Sequence, residues 1–453
     1  MVGAGISGLT TAFWLKQSGM NVTVLEQDVV PGGTMRTRHE EGWLIETGPN
    51  SALETTPVFG EMFDLLGITG ERQYADASSN NRYILRNGVL HSLPMSPQAF
   101  LKSHLWSTRA KVRLLAEPFI GRGTREETIA EFVERRLGRE FLDYAINPFV
   151  AGVFAGSPEH LSVRAAFPKL YALEEKYGGL IKGMLRGARE RKHRAEVAKD
   201  RAKMFAFTNG MQTFPDAIVR SLGLAVQCDC TVYRVARTSG GTFRVGCSFS
   251  GKTSELEADA VVLSTPAYAA APILQPLAPK LAELLGAIYY PPVAEVFCGF
   301  HEDQCPRPLD GFGYLIPAKE QRKILGTIWA SAIFPGRAPA GHIALTSFVG
   351  GSRQPELLEL DDAGLLSSVR TELGSLMGIH GDPAFTRIIR WNKAIPQYNL
   401  GYHRVVEAME DLEREFPGLY LCSNYRGGIA VGDCVKNGKT TAGTIVSALA
   451  RSS

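Results

Sequence analysis

The chain has 453 residues, 45% of them hydrophobic, with 49 Lys and Arg against 46 Asp and Glu for a formal net charge of +3. That length exceeds what one core fills, so two or three domains are expected, and the balanced charge gives no footprint for nucleic acid. No stretch approaches the ~20 apolar residues of a membrane-spanning helix and no basic-then-apolar leader opens the chain, so a cytoplasmic location is expected. Seven cysteines, an odd number without C-x-x-C spacing, and nine dispersed histidines leave no disulfide framework and no metal site to expect.

Gly3, Ala4, Gly5, Ile6, Ser7 and Gly8 spell G-x-G-x-x-G, and the run Leu9 to Ser18 predicts a helix that Gly19 stops. Asn21 to Leu25 alternates like a strand and ends on Glu26, 18 residues after Gly8. Strand, helix, strand and acid in this order form the dinucleotide-binding fingerprint. Gly5 lets a pyrophosphate approach the backbone, Gly8 lets the helix pack on its strand, and the helix N-terminus turns unpaired N–H groups toward phosphate. Glu26 lies where a carboxylate accepts from a ribose hydroxyl. Only Met1 and Val2 precede Gly3, so either a start upstream or a clipped first strand is expected, the latter weakening the site.

Gly32, Gly33, Thr34, Met35 and Arg36 follow, a glycine pair with a base that could neutralise phosphate but that taken alone reads as a surface turn with a solvated arginine. Trp43 to Thr47 leads into a rigid polar turn, Gly48, Pro49, Asn50, Ser51. Arg82 to Arg86 and Val89 to Leu93 flank Asn87 and Gly88, the type I′ hairpin signal, with Arg82, Ile84 and Arg86 on one face. From Ser96 to about Lys203 the pattern is helical, with T-x-x-E capping signals from Thr124, and Pro148 to Gly156 is expected to interrupt it. Lys182 to Lys203 carries nine Lys or Arg against three acids, which reads as a solvated helix face or as attraction to anionic lipid. Thr208 to Met211 starts a second βα-like region with strands in Leu224 to Val235, and Ala260 to Ser264 forms another strand. Val293 to Phe300, Gly313 to Ile316, Ile324 to Ser331 and Ile343 to Val349 read as the sheet of a further domain. Leu419 to Ser423 is a strand, and the glycine-rich turn Tyr425 to Asp433 opens a long helix from Cys434 to Leu449.

The fingerprint, GGxxR, ETGPNSALETTP, the N-R-Y hairpin, PFVAGVFAGSPEHLSVRAAFPKL and G-I-A-V-G-D-C together resemble the flavin amine oxidase superfamily, and within it the oxygen-dependent protoporphyrinogen oxidases. The resemblance covers nearly the whole chain. It implies an α/β fold with a discontinuous Rossmann-like FAD-binding domain (1–75, 205–265 and 395–453). A mixed-sheet substrate domain (76–95 and 266–394) and an α-helical membrane-facing domain (96–204) complete it. It implies noncovalent FAD held by Gly3, Ala4, Gly5, Ile6, Ser7, Gly8, Glu26, Gln27, Gly33, Thr34, Arg36, Gly48, Pro49, Asn50 and Ser51. Val232 would contact the adenine, and Ile429, Ala430 and Val431 would meet the flavin around N1 and O2.

The implied reaction is the six-electron oxidation of protoporphyrinogen IX to protoporphyrin IX by O2, in porphyrin biosynthesis. Arg82 would hold a propionate, Asn50 would lie near the ring centre, Gly152 would let the macrocycle approach the backbone, and Leu315, Ile328 and Phe348 would sandwich its apolar faces. The last three are equally compatible with ordinary sheet core. No acid or base is assigned, because the pyrrole nitrogens assist hydride loss. Oxidation of coproporphyrinogen III, another flavin amine oxidase or desaturase activity, and a non-enzymatic nucleotide-binding role stay open. So do peripheral contact with an anionic membrane on its inner face, handover to a ferrochelatase and a homodimer.

Overall fold

A computed structural model describes residues 1–76, 81–191 and 202–452. Its parallel sheet is built around the opening residues: Val2 bridges Leu25 on one side and Leu263 on the other. Val24–Leu25 continues to Val226–Gln227, and Val261–Leu263 to Leu419–Leu421, all parallel. Val2 therefore stands in the middle of this sheet. The opening residues are tied on both edges, by Val2 N to Val262 O at 2.9 Å and Ser264 N to Val2 O at 2.8 Å, and by Gly3 N to Leu25 O at 2.8 Å and Leu25 N to Met1 O at 2.9 Å.

Helix Ile6–Gln17 begins earlier than the Leu9 predicted, because Gly5 in an extended conformation is already its N-cap. The strand predicted from Asn21 narrows to Val24–Leu25. Helix Val431–Ser452 likewise starts before Cys434. It lies along the first helix so closely that a Cβ on Gly438 would stand 2.9 Å from the Thr10 side chain. An antiparallel meander of Cys230–Arg237, Phe243–Phe249 and Lys252–Ala258 flanks the parallel sheet.

The second sheet has seven strands, in the order Phe385–Trp391, Val293–His301, His342–Gly350, Gly326–Ile328, Gly311–Leu315, Asn81–Arg86 and Val89–Ser92. All neighbours are antiparallel except Gly311–Leu315 with Asn81–Arg86. The hairpin turns at Asn87 and Gly88, both with positive φ, as the type I′ signal predicts. The segment predicted as one strand from Ile324 to Ser331 divides, because the chain folds into the short helix Ala330–Ile333 after Ile328. One face of the sheet, carrying Val296, Leu345 and Val349, is closed by Leu365, Val369 and Leu373 of helix Asp362–Met377. The opposite face looks toward the parallel-sheet layer.

Residues 97–191 are largely helical. The Pro148 to Gly156 run does not interrupt this pattern; it forms the helix Asn147–Phe154 itself. Pro148 directly follows the π-helical stretch Leu142–Ile146, whose wider turn replaces the hydrogen-bond pattern that a proline would break, and the helix ends at Ala155, φ +48°. The expected capping signal falls one motif later, with Thr128 and Glu131 forming a reciprocal capping box. Arg136 is fully buried against Glu117 (3.1 Å) and Glu174 (2.9 Å), pinning this region together. Of the basic run, residues 192–201 lie outside the described residues. Among the described residues no helix is long and apolar enough to cross a membrane.

Candidate active site

The fingerprint loop is shaped by exclusion. A Cβ on Gly8 would overlap Gly3 O and Ser264 Oγ, whereas one on Gly5 would meet nothing within 4 Å. Gly5 thus opens onto free space at the N-terminus of a 12-residue helix that has no side-chain cap, the arrangement that receives phosphate. Ala4 donates its N–H to Glu26 Oε2 at 2.6 Å, and Asp28 donates to Glu26 Oε1 at 3.0 Å. The buried Glu26 carboxylate keeps a lone pair on each oxygen, and Gln27 beside it is exposed.

Arg36 pairs with Asp28 at 2.6 Å, but its Nε is buried without a partner, an orphaned donor on the same rim. Gly33 stands over Gly5, 3.2 Å from its Cα to an added Cβ. Gly48 presses on Thr34 so closely that a Cβ there would overlap the Thr34 carbonyl. The turn through Pro49, Asn50 and Ser51 is thereby held against the glycine pair, with Asn50 Nδ2 donating to Gly48 O at 3.1 Å. Ile429, Ala430 and Val431 lead into helix Val431–Ser452, and Gly428 N donates to Tyr398 Oη at 3.2 Å. Val232 is placed differently: its side chain is buried in the core beneath the meander, though its strand begins at Cys230, whose N–H donates to Glu26 O at 2.8 Å. Both ends of the chain therefore converge, with an added Cβ on Gly438 3.1 Å from Ser7 O, and the orphaned Arg36 Nε, the uncapped helix and the glycine cradles fit a dinucleotide there.

Strand register arranges the second group. Directly opposed residues form one row, Arg82, Gly313, Ile328, Thr346 and Phe297, and beside it a second, Ile84, Leu315, Gly326, Phe348, Glu295 and Ile389. Opposed residues share a face, so Arg82, Leu315, Ile328 and Phe348 point the same way. Ile328 lines a cavity with Asn50, Ser51, Phe312, Phe297 and Thr346. Arg82 lies 5.7 Å from the Phe312 ring, has no carboxylate partner among the described residues, and burial pulls its pKa down. Gly152 meets the row from the helical side, where an added Cβ would stand 2.6 Å from Leu315 Cδ2. Phe348 packs near Ala151 and Ala155 of the same helix.

Several groups here are absent from the sequence reading. Trp391 donates its indole N–H to Thr47 O at 2.9 Å, tying sheet to turn. Arg337 lines the cavity; its Nη2 donates to Phe207 O at 3.2 Å and lies 3.8 Å from Glu46 Oε1, while its Nη1 is buried without a partner among the described residues. Burial pushes Glu46 up to about 7, against the pull of Arg337 and of hydrogen bonds from Thr37 and Met211. Burial lifts Glu295 to about 8, opposed by Trp391 and reinforced by the Glu46 charge. The readable signal for Glu295 is one acid inside an otherwise apolar strand, V-A-E-V-F-C-G-F.

Comparison with known proteins follows the same lines. The pattern describing the flavin containing amine oxidoreductases matches residues 6–446. Protoporphyrinogen oxidase 2 of Arabidopsis thaliana is 34% identical, over 99% of this chain and 94% of that protein. Coproporphyrinogen III oxidase of Bacillus subtilis (strain 168) is 28% identical, over 97% and 96%. In fold, cyclohexylamine oxidase from Brevibacterium oxydans superposes with a TM-score of 0.72 at 16% identity, over 99% and 98%.

Proposed function

Because this chain belongs to the flavin containing amine oxidoreductase family, and within it to the protoporphyrinogen oxidases, we propose that it oxidises protoporphyrinogen IX to protoporphyrin IX on FAD, with O2 as electron acceptor. The observation that carries this reading is the shared face of Arg82, Leu315, Ile328 and Phe348, of which Ile328 lines a cavity together with Asn50 and Ser51.

FAD, when bound, supplies a two-electron acceptor that oxygen regenerates. The chain's own residues bind and orient. Gly3 to Gly8, Glu26, Gly33, Thr34 and Arg36 hold the dinucleotide; Gly48 to Ser51 and Ile429 to Val431 border the flavin, with Val232 near the adenine through its backbone. Arg82, a half-buried guanidinium with no competing carboxylate among the described residues, pairs with a propionate. Leu315, Ile328 and Phe348 fix the apolar rings and exclude water, and Gly152 admits the macrocycle edge. The division into FAD-binding segments (1–75, 205–265, 395–453), substrate segments (76–95, 266–394) and a helical part (96–204) follows from the same reading.

Oxidation of coproporphyrinogen III is the second reading, favoured by the Bacillus subtilis relative at 28% identity. Parallel fluorescence assays with the two porphyrinogens decide between them: a larger kcat/KM for the tetracarboxylate substrate would reverse the assignment. Peripheral attachment to anionic membrane is proposed from the exposed Leu101, Val112, Leu115 and Phe119, set among Lys102, Arg109, Lys111 and Arg113. Salt-sensitive flotation with anionic liposomes is the expected result, and its absence would remove the membrane from the account.

A further inference from the structure

The sheet face carries a buried carboxyl that binding and orientation leave unused. Glu295 is 4% exposed, and its Oε2 has no hydrogen-bond partner. It stands directly opposite Phe348 on one neighbouring strand and Ile389 on the other. It therefore belongs to the row that also holds Leu315. No cation pairs with it among the described residues. A buried acid without a counter-charge costs stability, so an apolar residue would serve the sheet better unless the carboxyl works.

We infer that Glu295 is the base of the oxidation: its carboxylate takes the proton that the porphyrinogen releases when a bridging carbon gives up its hydride. This rests on the porphyrinogen-oxidase reading. In one turn a bridging C–H bond breaks and its electron pair leaves as hydride to the flavin. A pyrrole N–H bond also breaks, its pair staying to form C=N while the proton goes to the Glu295 carboxylate. Over three turns the macrocycle loses six hydrogens, four from bridging carbons and two from nitrogens. Three depart as hydride, so one bridging hydrogen must depart as a proton. Carbon yields a proton slowly to bulk water, and a positioned base is worth about 10²–10⁴-fold there. O2 accepts the electrons and, with the proton that Glu295 passes on, leaves as hydrogen peroxide, so each turn is neutral.

The surroundings suit the role. Phe348, Thr346, Ile389 and Trp391 offer no charge, Arg387 further along the face pairs with Glu40, and Arg337 is drawn toward Glu46. Burial lifts the Glu295 carboxyl to about 8 against the pull of the Trp391 indole, and Glu46 is the titratable neighbour whose field adds to the rise. A base so placed loses its proton again at mildly alkaline pH.

The test uses FAD-loaded wild type and Glu295→Gln. Porphyrin formation, which cannot finish until the bridging-carbon proton is removed, should be about 10²-fold slower in the variant when followed by fluorescence. The rising limb near pH 8 in the wild-type rate should vanish with it. Independently of turnover, the wild-type-minus-variant infrared spectrum should contain a protonated carboxylic acid band that disappears as pH passes 8, a readout that holds even if the variant binds FAD poorly. Glu295→Asp should restore part of the rate. A variant that matches wild type in rate and pH limb, or a difference spectrum without that band, overturns the assignment. Wild type inert toward both porphyrinogens would overturn the parent reading instead, and is recognised because Glu295 is intact in it.

Discussion

Ser264 Oγ donates to both Val2 O (2.9 Å) and Gly3 O (2.8 Å), and so occupies the space that a methyl group on Gly8 would need. The collision involves backbone as well as a hydroxyl that already bridges two carbonyls, so no rotamer change relieves it. Gly8→Ala should fold with most of its sheet intact yet purify without yellow colour. Absorbance at the flavin band, with FAD added back, checks this; a variant that retains flavin would show that the loop yields.

Arg82 to Ala removes a donor fork from a half-buried position but no ion pair among the described residues. A charge-assisted hydrogen bond of about 1.5–3 kcal/mol corresponds to roughly a 10–100-fold rise in KM. Flavin content should stay at the wild-type level, and Arg82→Lys should fall between the two. Loss of FAD in parallel with the rise in KM would mark the residue as structural.

Gly152 and Leu315 meet across the join between helix and sheet. Because Leu315 Cδ2 is the mobile end of its side chain, Gly152→Ala should cost under about 1 kcal/mol of stability. The displaced leucine enters the substrate face, however, so KM should rise while Tm barely moves. Steady-state kinetics beside a melting curve separate the two effects.

The local features of the cofactor site were legible in the sequence because each depends on neighbours in the chain: Gly3 to Gly8, Glu26, and Asn87 with Gly88 mean the same thing wherever they stand. Features fixed by pairing were not. Glu295 acquires its meaning only once Phe348 and Ile389 fall opposite it, and nothing within V-A-E-V-F announces that register. Pro148 misleads for a related reason, since proline ends an α-helix in mid-run and the π-helical turn Leu142–Ile146 that accommodates it here is not announced in the sequence. Val232 carries a backbone expectation, on which a buried valine side chain is silent.

Glu46 and Glu295 set a pH dependence of stability. Their folded values, about 7 and about 8, lie above the ordinary 4.5, so between those limits the folded chain holds protons that the unfolded chain releases. Stability is therefore highest below pH 4.5 as far as these two groups are concerned, falls as pH rises toward 8, and is flat beyond. Differential scanning between pH 5 and 9 should record this decline, and Glu295→Gln should flatten its upper part. An equal slope in both proteins would place the titrating group elsewhere.

Arg136 lies between Glu117 and Glu174, with all three side chains at 3% exposure or less. Removing one member of such a cluster strands the others, at a cost of about 3–5 kcal/mol. Arg136→Met should lower Tm by several degrees while flavin spectra stay normal. An unchanged melting curve would mean that water reaches the abandoned carboxylates.

Thr11 and Cys422 touch although 411 residues separate them in the chain. On the ribosome, the fingerprint helix emerges long before the strand and helix that cover it. Its apolar flank must wait in the open through most of translation. Yield in a cell should therefore depend on chaperones and growth temperature more than the finished protein's melting point suggests, and supplying the flavin early should help little.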